Sequence, residues 1–354
     1  MTLKHPARLA SFAALALTFF LAACSTPEAP PPPPPPPAAP PAVNLASQLF
    51  EEASAWRGYM ARAEAITPEA FTDAKAVSRS LKTGAAFEPN QLLRGAIAYA
   101  AVTALQDPTF VGSVRSYAGD VAQRQALANQ ILANPYRVTN FPGAESAAGL
   151  IVSALGGEAT KVLLTGRAVK QSAYDVQRQK WSKEFVSDRE GRLADVRVLS
   201  ATPVRGDIQE VSRMQLATQS GGPPPGDSVV GQAAQQPWSP VVVRGMALAA
   251  LAVLGEAGDD RMPQLAPLLT DQPSMFCLNM SKLMLYQCLA AAKPHYEDMF
   301  CLGQHVLIDT GECTLKSAGA PMPMLPPPVI VAEETTAKAP VKGKPAVKGK
   351  PKAQ

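Results

Sequence analysis

Four cysteines, Cys277, Cys288, Cys301 and Cys313, crowd into one stretch of the chain together with His295 and His305. Thiols at that density either oxidise in pairs or, as thiolates, bind a metal. Zinc sites are usually built from close Cys-x-x-Cys pairs, and none occurs here. Oxidation is therefore the expectation, and no metal is expected. Four cysteines allow three pairings, and geometry separates them. The pattern over 274–292 is helical, and Lys293-Pro294-His295 reads as its end and a restart. Cys277 and Cys288 share a helix face, but one straight helix holds them about 16 Å apart. A disulfide needs its Cα atoms within about 7 Å. Folding the chain back at Pro294 sets Cys288 against Cys301 and Cys277 against Cys313. One obstacle stands against this nested pairing: facing helix axes are usually about 8–10 Å apart. The small residues Ala290, Ala291 and Ala292 ease the inner pair, and the outer pair calls for Gly311-Glu312-Cys313 to be a flexible return rather than helix. His295 then reads as a loop residue and His305 as a helix-surface or core residue.

The elements that must hold these cysteines are helices. From 45 to about 200 the chain is rich in Ala and Gln and poor in β-branched runs. Leu49, Ala53, Trp56 and Met60 recur at helical spacing. Thr67-Pro68-Glu69 looks like a cap opening a second helix over 68–81, and Pro89-Asn90 opens a third. Asp107-Pro108 restarts the chain, and a further helix covers 119–132. Two more, 144–155 and 159–185, are expected to break at Gly156-Gly157. Gly221-Gly222-Pro223-Pro224-Pro225-Gly226 is too irregular for a tight connection and is expected to divide the body. Ser239-Pro240 then caps a buried apolar helix to about Leu254. The fold class is all-α: a helical bundle or irregular helical array that closes on a disulfide-linked C-terminal helical hairpin.

Both ends lack the makings of a core. Lys4 and Arg8 precede an apolar run over 9–21, too short to span a bilayer, which is the layout of a secretory signal. Leu21-Ala22-Ala23-Cys24 follows at once. This segment resembles the bacterial lipoprotein signal, which implies cleavage before Cys24 and lipidation of its thiol. In a Gram-negative host the resemblance further implies, from Ser25, the outer membrane. Several acyl chains on one residue suffice for durable anchoring. The unbroken prolines 30–37 suit a semi-rigid polyproline spacer. At the other end six lysines and no acid follow residue 337, among them Lys342, Lys344, Lys348, Lys350 and Lys352. Such a basic, low-complexity tail attracts anionic partners. The expected organisation is signal peptide 1–23, anchor and Pro-rich linker 24–44, helical domain 45–218, linker 219–239, Cys-containing helical part 240–315, and disordered Pro/Lys-rich tail 316–354.

Signatures of catalysis are missing from the sequence: no Gly-x-Ser-x-Gly elbow, no phosphate-binding Gly loop, no His-Glu-x-x-His helix. Glu145-Ser146 resembles the acid-bearing dipeptide of helical wall-cleaving transglycosylases. Gly149-Leu150 comes too soon for that pattern and its continuation is absent, which puts the acid role in doubt. The charge-dense stretch 174–197 carries Trp181 and Phe185 one turn apart. It reads either as a solvated helix face with two aromatics turned inward or as a surface for an anionic partner centred on Trp181. Together these features predict a non-enzymatic lipoprotein of the cell envelope that acts as a structural or interaction protein. Its partners would be the membrane, through the anchor, and an envelope protein or anionic wall polymer; neither nucleic acid nor a cofactor is expected. The alternative is a periplasmic ligand binder or wall-active enzyme with a pocket between the two helical parts.

Overall fold

Six aspartates set where helices begin. Asp73, Asp107, Asp120, Asp188, Asp207 and Asp271 each accept the backbone N–H of the residue three further on, at 2.7–3.1 Å. Ser239 does the same for Val242 at 3.3 Å. Each such cap stabilises its helix by about 1 kcal/mol. The computed structural model describes residues 41–220, 234 and 236–324. In chain order the helices are α1 (Ser47–Glu64), α2 (Ala74–Ala85), α3 (Pro89–Ala104), α4 (Pro108–Arg115), α5 (Val121–Ala133) and α6 (Ala144–Asp175). There follow the one-turn α7 (Lys180–Lys183), α8 (Arg189–Ala201), α9 (Ile208–Ser220), α10 (Pro240–Val253) and the one-turn α11 (Met262–Leu265). The last are α12 (Gln272–Ala291), α13 (His295–Cys301) and α14 (Asp309–Ala318), with a π-helix, Leu302–Ile308, joining α13 to α14. No strand occurs among the described residues, so the all-α class holds. Cys24, the proline run 30–37, most of the 219–239 connection and the lysines beyond 337 lie outside the described residues.

α3 and α10 form the centre, and almost every residue of each is buried. Two glycines let neighbours approach them. A Cβ on Gly245 of α10 would lie 2.4 Å from that of Ala100 on α3. One on Gly95 of α3 would lie 2.5 Å from the Glu52 carbonyl oxygen of α1. α6 runs along α1, α3, α10 and the α13–π–α14 segment. By length and composition it could cross a membrane, but here a stripe through Ala147, Ile151, Leu155, Ala159, Val162 and Leu163 is buried in the same core. The stretches 45–218 and 240–318 both contribute to that core, because α10 packs on α3 and α12 on α8.

Several element boundaries depart from the expectation. The second helix begins at Ala74 on its Asp73 cap, and Pro68–Ala70 is only a 3-10 turn. No break occurs at Gly156-Gly157. Two interior glycines cost about 1 kcal/mol each, which the buried stripe on either side of them offsets. α6 instead ends at Asp175, and a 3-10 turn and the one-turn α7 lead to Phe185. α9 lies beyond the stretch read as helical. The C-terminal body ends three residues later than expected. Lys316–Ala318 completes α14, with Ala318 buried and Gly319 closing the helix at φ +67°.

Candidate functional site

The four cysteines pair as the spacing predicts: Cys288 with Cys301 and Cys277 with Cys313, each with Cα atoms 5.7 Å apart. The outer pair gets this close without the flexible return. Gly311-Glu312-Cys313 is helical, and small residues bring α12 and α14 together instead. Ser317 Oγ donates to Ser274 Oγ at 2.7 Å, and Ser281 Oγ to the His305 carbonyl at 2.7 Å, on either side of the outer bridge. Gly311 serves a different contact: a Cβ there would lie 2.9 Å from the Leu163 nitrogen of α6, and one on Gly303 would lie 2.6 Å from that of Lys170.

The π-helix accounts for the register. On α12 the cysteines are 11 residues apart, which returns to within about 20° of the same face at 100° per residue. On the return strand of the hairpin they are 12 apart, which in a regular α-helix would leave them about 120° out of phase. Over Leu302–Ile308 the wider i→i+5 winding turns each residue by only about 82°, and seven such steps remove about 126°. Cys301 and Cys313 are thereby brought back to one face.

The histidines stand apart from this chemistry. His295 opens α13 rather than lying in a loop. His305 sits in the π-helix, half-buried, with Nδ1 2.9 Å from Asp309 Oδ2. Among the described residues no group of three His, Cys, Asp or Glu is arranged to hold a metal ion.

α12 itself has two contrasting faces. Inward it carries its one charged residue, Lys282, which is buried. Lys282 Nζ donates to the Ala85 carbonyl at 2.7 Å and to Ser200 Oγ at 3.0 Å, and lies 3.3 Å from the centre of the Phe87 ring. Burial pulls its pKa well below the usual lysine value, with Glu88 opposing. Outward the helix exposes Phe276, Met280 and Leu283 at 66, 38 and 46%. They follow i, i+4, i+7 spacing, so they form one uncharged apolar stripe on a helix fixed at both ends by disulfides. The sequence signal for this stripe is a 20-residue helical segment with a single charged residue, Lys282.

α8 locks the end of α12. Arg189 donates to the Ala290 and Ala292 carbonyls at 2.7 and 2.8 Å, and Arg192 to the Leu289 carbonyl. Cations at a helix C-terminus complement its free carbonyls. Arg192 also pairs with buried Asp298, whose pKa burial raises while the guanidinium opposes. This ion pair lines a groove of about 350 Å³ where α2 and α8 meet α13, between the two helical parts where the alternative reading would put a pocket. Two of its charge pairs are matched, Lys82 with Asp195 at 2.8 Å and Arg192 with Asp298, and Asp188 accepts the Gly191 N–H as the α8 cap. Trp181 is half-buried against the core, so of the pair Trp181 and Phe185 it is Phe185, at 69% exposure, that faces solvent. Glu145 is exposed on the first turn of α6, and Ser146 Oγ donates to the Gly143 carbonyl at 3.0 Å. A separate cleft of about 670 Å³ lies between α4, α5 and the 3-10 turn Pro135–Asn140, a region in which the sequence shows no motif. Compared with protein-family models, curated proteins and solved structures, the chain matches none.

Proposed function

We propose that this chain is a non-enzymatic lipoprotein of the bacterial cell envelope, anchored through Cys24 in the outer membrane, whose helical body docks a partner protein. The outer stripe of α12 carries the reading. Three large apolar side chains are held in water on a rigid helix that has no exposed charge, and such surfaces mark interaction sites. Two disulfides and two arginine caps fix that helix at both ends. A rigid, pre-ordered face loses little side-chain and backbone freedom on association. An apolar helix or sheet face of another envelope protein is the complementary partner. The basic tail, with Lys342, Lys344, Lys348, Lys350 and Lys352, adds attraction to anionic wall polymer.

The test is site-specific photo-crosslinking in intact cells. A photoreactive residue at Met280 should give a discrete heavier product, while one at exposed Gln125 should not. Phe276→Asp with Leu283→Asp should abolish the product and leave the protein folded. Absence of any product at 280, or persistence of it in the double variant, refutes the docking face. Cys24→Ser should release the chain from the membrane fraction; retention there refutes the anchor.

A further inference from the structure

Residues 109–143 form a lobe of unusual chemistry. They include one acid, Asp120, and no lysine, but six side-chain amides. Asp120 is committed to the N–H of Gln123 as the α5 cap. α5 buries only Ala128 and Ile131, so most of its amides remain in solvent. The cleft of about 670 Å³ opens on this surface. Tyr117 and Phe141 form its apolar wall, their rings edge-on at 5.8 Å with Tyr117 44% exposed. Gln123, Gln130 and Asn140 line it as amides, and Arg137 is its one charged group among the described residues. Arg137 donates to Gln130 Oε1 at 2.9 Å and has no ion pair among the described residues. Ser113 and Ser116 donate their hydroxyl protons to backbone carbonyls, which leaves lone pairs toward the cleft.

Each class of ligand asks for different groups. A cation needs carboxylates, and there is none among the described residues of the lining. Polyphosphate or nucleic acid calls for several cations, and the lining has one. A purely apolar ligand would leave three amides and a guanidinium without partners, at a cost for each group desolvated. A sugar ring fits all of them. An amide both donates and accepts, so it pairs with adjacent hydroxyls. An aromatic ring covers the C–H face of the sugar, and a guanidinium takes a carboxylate through two parallel N–H bonds.

From this we propose that the cleft between α4, α5 and the 135–140 turn binds an oligosaccharide bearing a carboxylate, such as the lactyl-substituted amino sugar of a bacterial wall glycan. The site is separate from α12, so it stands or falls independently of protein docking there; its choice of a wall sugar rests on the envelope address proposed above.

The experiment is titration calorimetry on the purified full chain in detergent. Two probes are used: the disaccharide of N-acetylglucosamine and N-acetylmuramic acid, and the neutral disaccharide of two N-acetylglucosamines. The acidic disaccharide should bind more tightly than the neutral one. Arg137→Gln should weaken the acidic probe roughly tenfold, as loss of a charge-assisted pair does, and leave the neutral probe unchanged. Tyr117→Ala should weaken both. Both side chains are exposed, so unchanged melting curves will show that the variants fold. Binding of neither disaccharide at about 10 mM, a level that exposes even contacts worth only a few kcal/mol, overturns the proposal. So does equal binding of the two, or binding unaffected by either substitution. A failure here with an intact crosslink at Met280 leaves the docking reading standing, and the reverse result separates them equally well.

Discussion

Removing the outer disulfide, with Cys277→Ser and Cys313→Ser together, tests whether the C-terminal hairpin is held as its geometry indicates. The bridge spans 36 residues and encloses the inner bridge, which spans 13. In the unfolded chain the inner bridge already short-circuits those 13, which leaves an effective loop of about 23. Chain-entropy bookkeeping then assigns the outer bridge about 3.4 kcal/mol and the inner one, taken alone, about 3 kcal/mol. Cys313 is buried, so a serine hydroxyl there adds a desolvation cost of about 1 kcal/mol. The double variant should thus lose about 4 kcal/mol, which for a body of this size lowers Tm by roughly 10 °C. The assay is thermal unfolding followed by far-UV circular dichroism without reductant, beside wild type and a Cys288→Ser/Cys301→Ser variant. The two bridge variants should melt within a few degrees of each other, and reductant should lower wild type below both. If the outer-bridge variant melts within about 2 °C of wild type, less than 1 kcal/mol separates them. The α12–α14 contact would then be held by its serine hydrogen bonds and the α6 glycine packing, not by the covalent link.

Three further outcomes follow from particular residues. Deleting Gln304 should convert the π-helix to a regular α-helix, because it leaves Cys301 and Cys313 11 residues apart like their partners; a peptide map should still show both native disulfides, whereas deleting Asn279 from α12 should scramble them. Lys282→Met should stabilise the fold at neutral pH. The folded-state pKa of Lys282 is lowered, so the unfolded chain takes up the proton first as pH falls. The penalty is complete below the folded pKa and fades as pH rises toward the unfolded value of about 10.4. Urea midpoints of the two proteins should converge over that climb, and a gap independent of pH refutes the assignment. Gly143→Ala should cost about 2 kcal/mol or more in a urea melt, since φ is +84° and the new Cβ would lie 2.3 Å from the Phe110 nitrogen; Gly112→Ala in α4, with nothing within 4 Å, should be neutral or stabilising.

What could be read in the sequence and what could not divides along a physical line. Caps act over three residues, so Ser239-Pro240 marks its helix correctly, while Asp107-Pro108, which reads only as a restart, opens α4; the cysteine pairing follows from helix periodicity about one turn at Pro294. The meaning of a glycine does not act locally. Gly156 and Gly157 looked like a break and lie inside the longest described helix, while Gly311 looked like a hinge and is a contact point against α6. In each case the deciding atoms belong to a helix distant in the chain. The same holds for the candidate surfaces. Trp181 stood out because aromatics in charged stretches do, yet its neighbours half-bury it and leave Phe185 in solvent. The amides around Arg137 carry no sequence signal, because a lobe built from Gln and Asn has the composition of an ordinary polar helix. Only the π-helix was encoded in plain numbers. A spacing of 11 on one arm of a hairpin and 12 on the other cannot close two disulfides between regular α-helices, and one extra residue has to be absorbed somewhere between Cys301 and Cys313. Unequal cysteine spacings across a helical hairpin therefore predict a local widening of the longer arm, and that inference was available from the sequence before any coordinate.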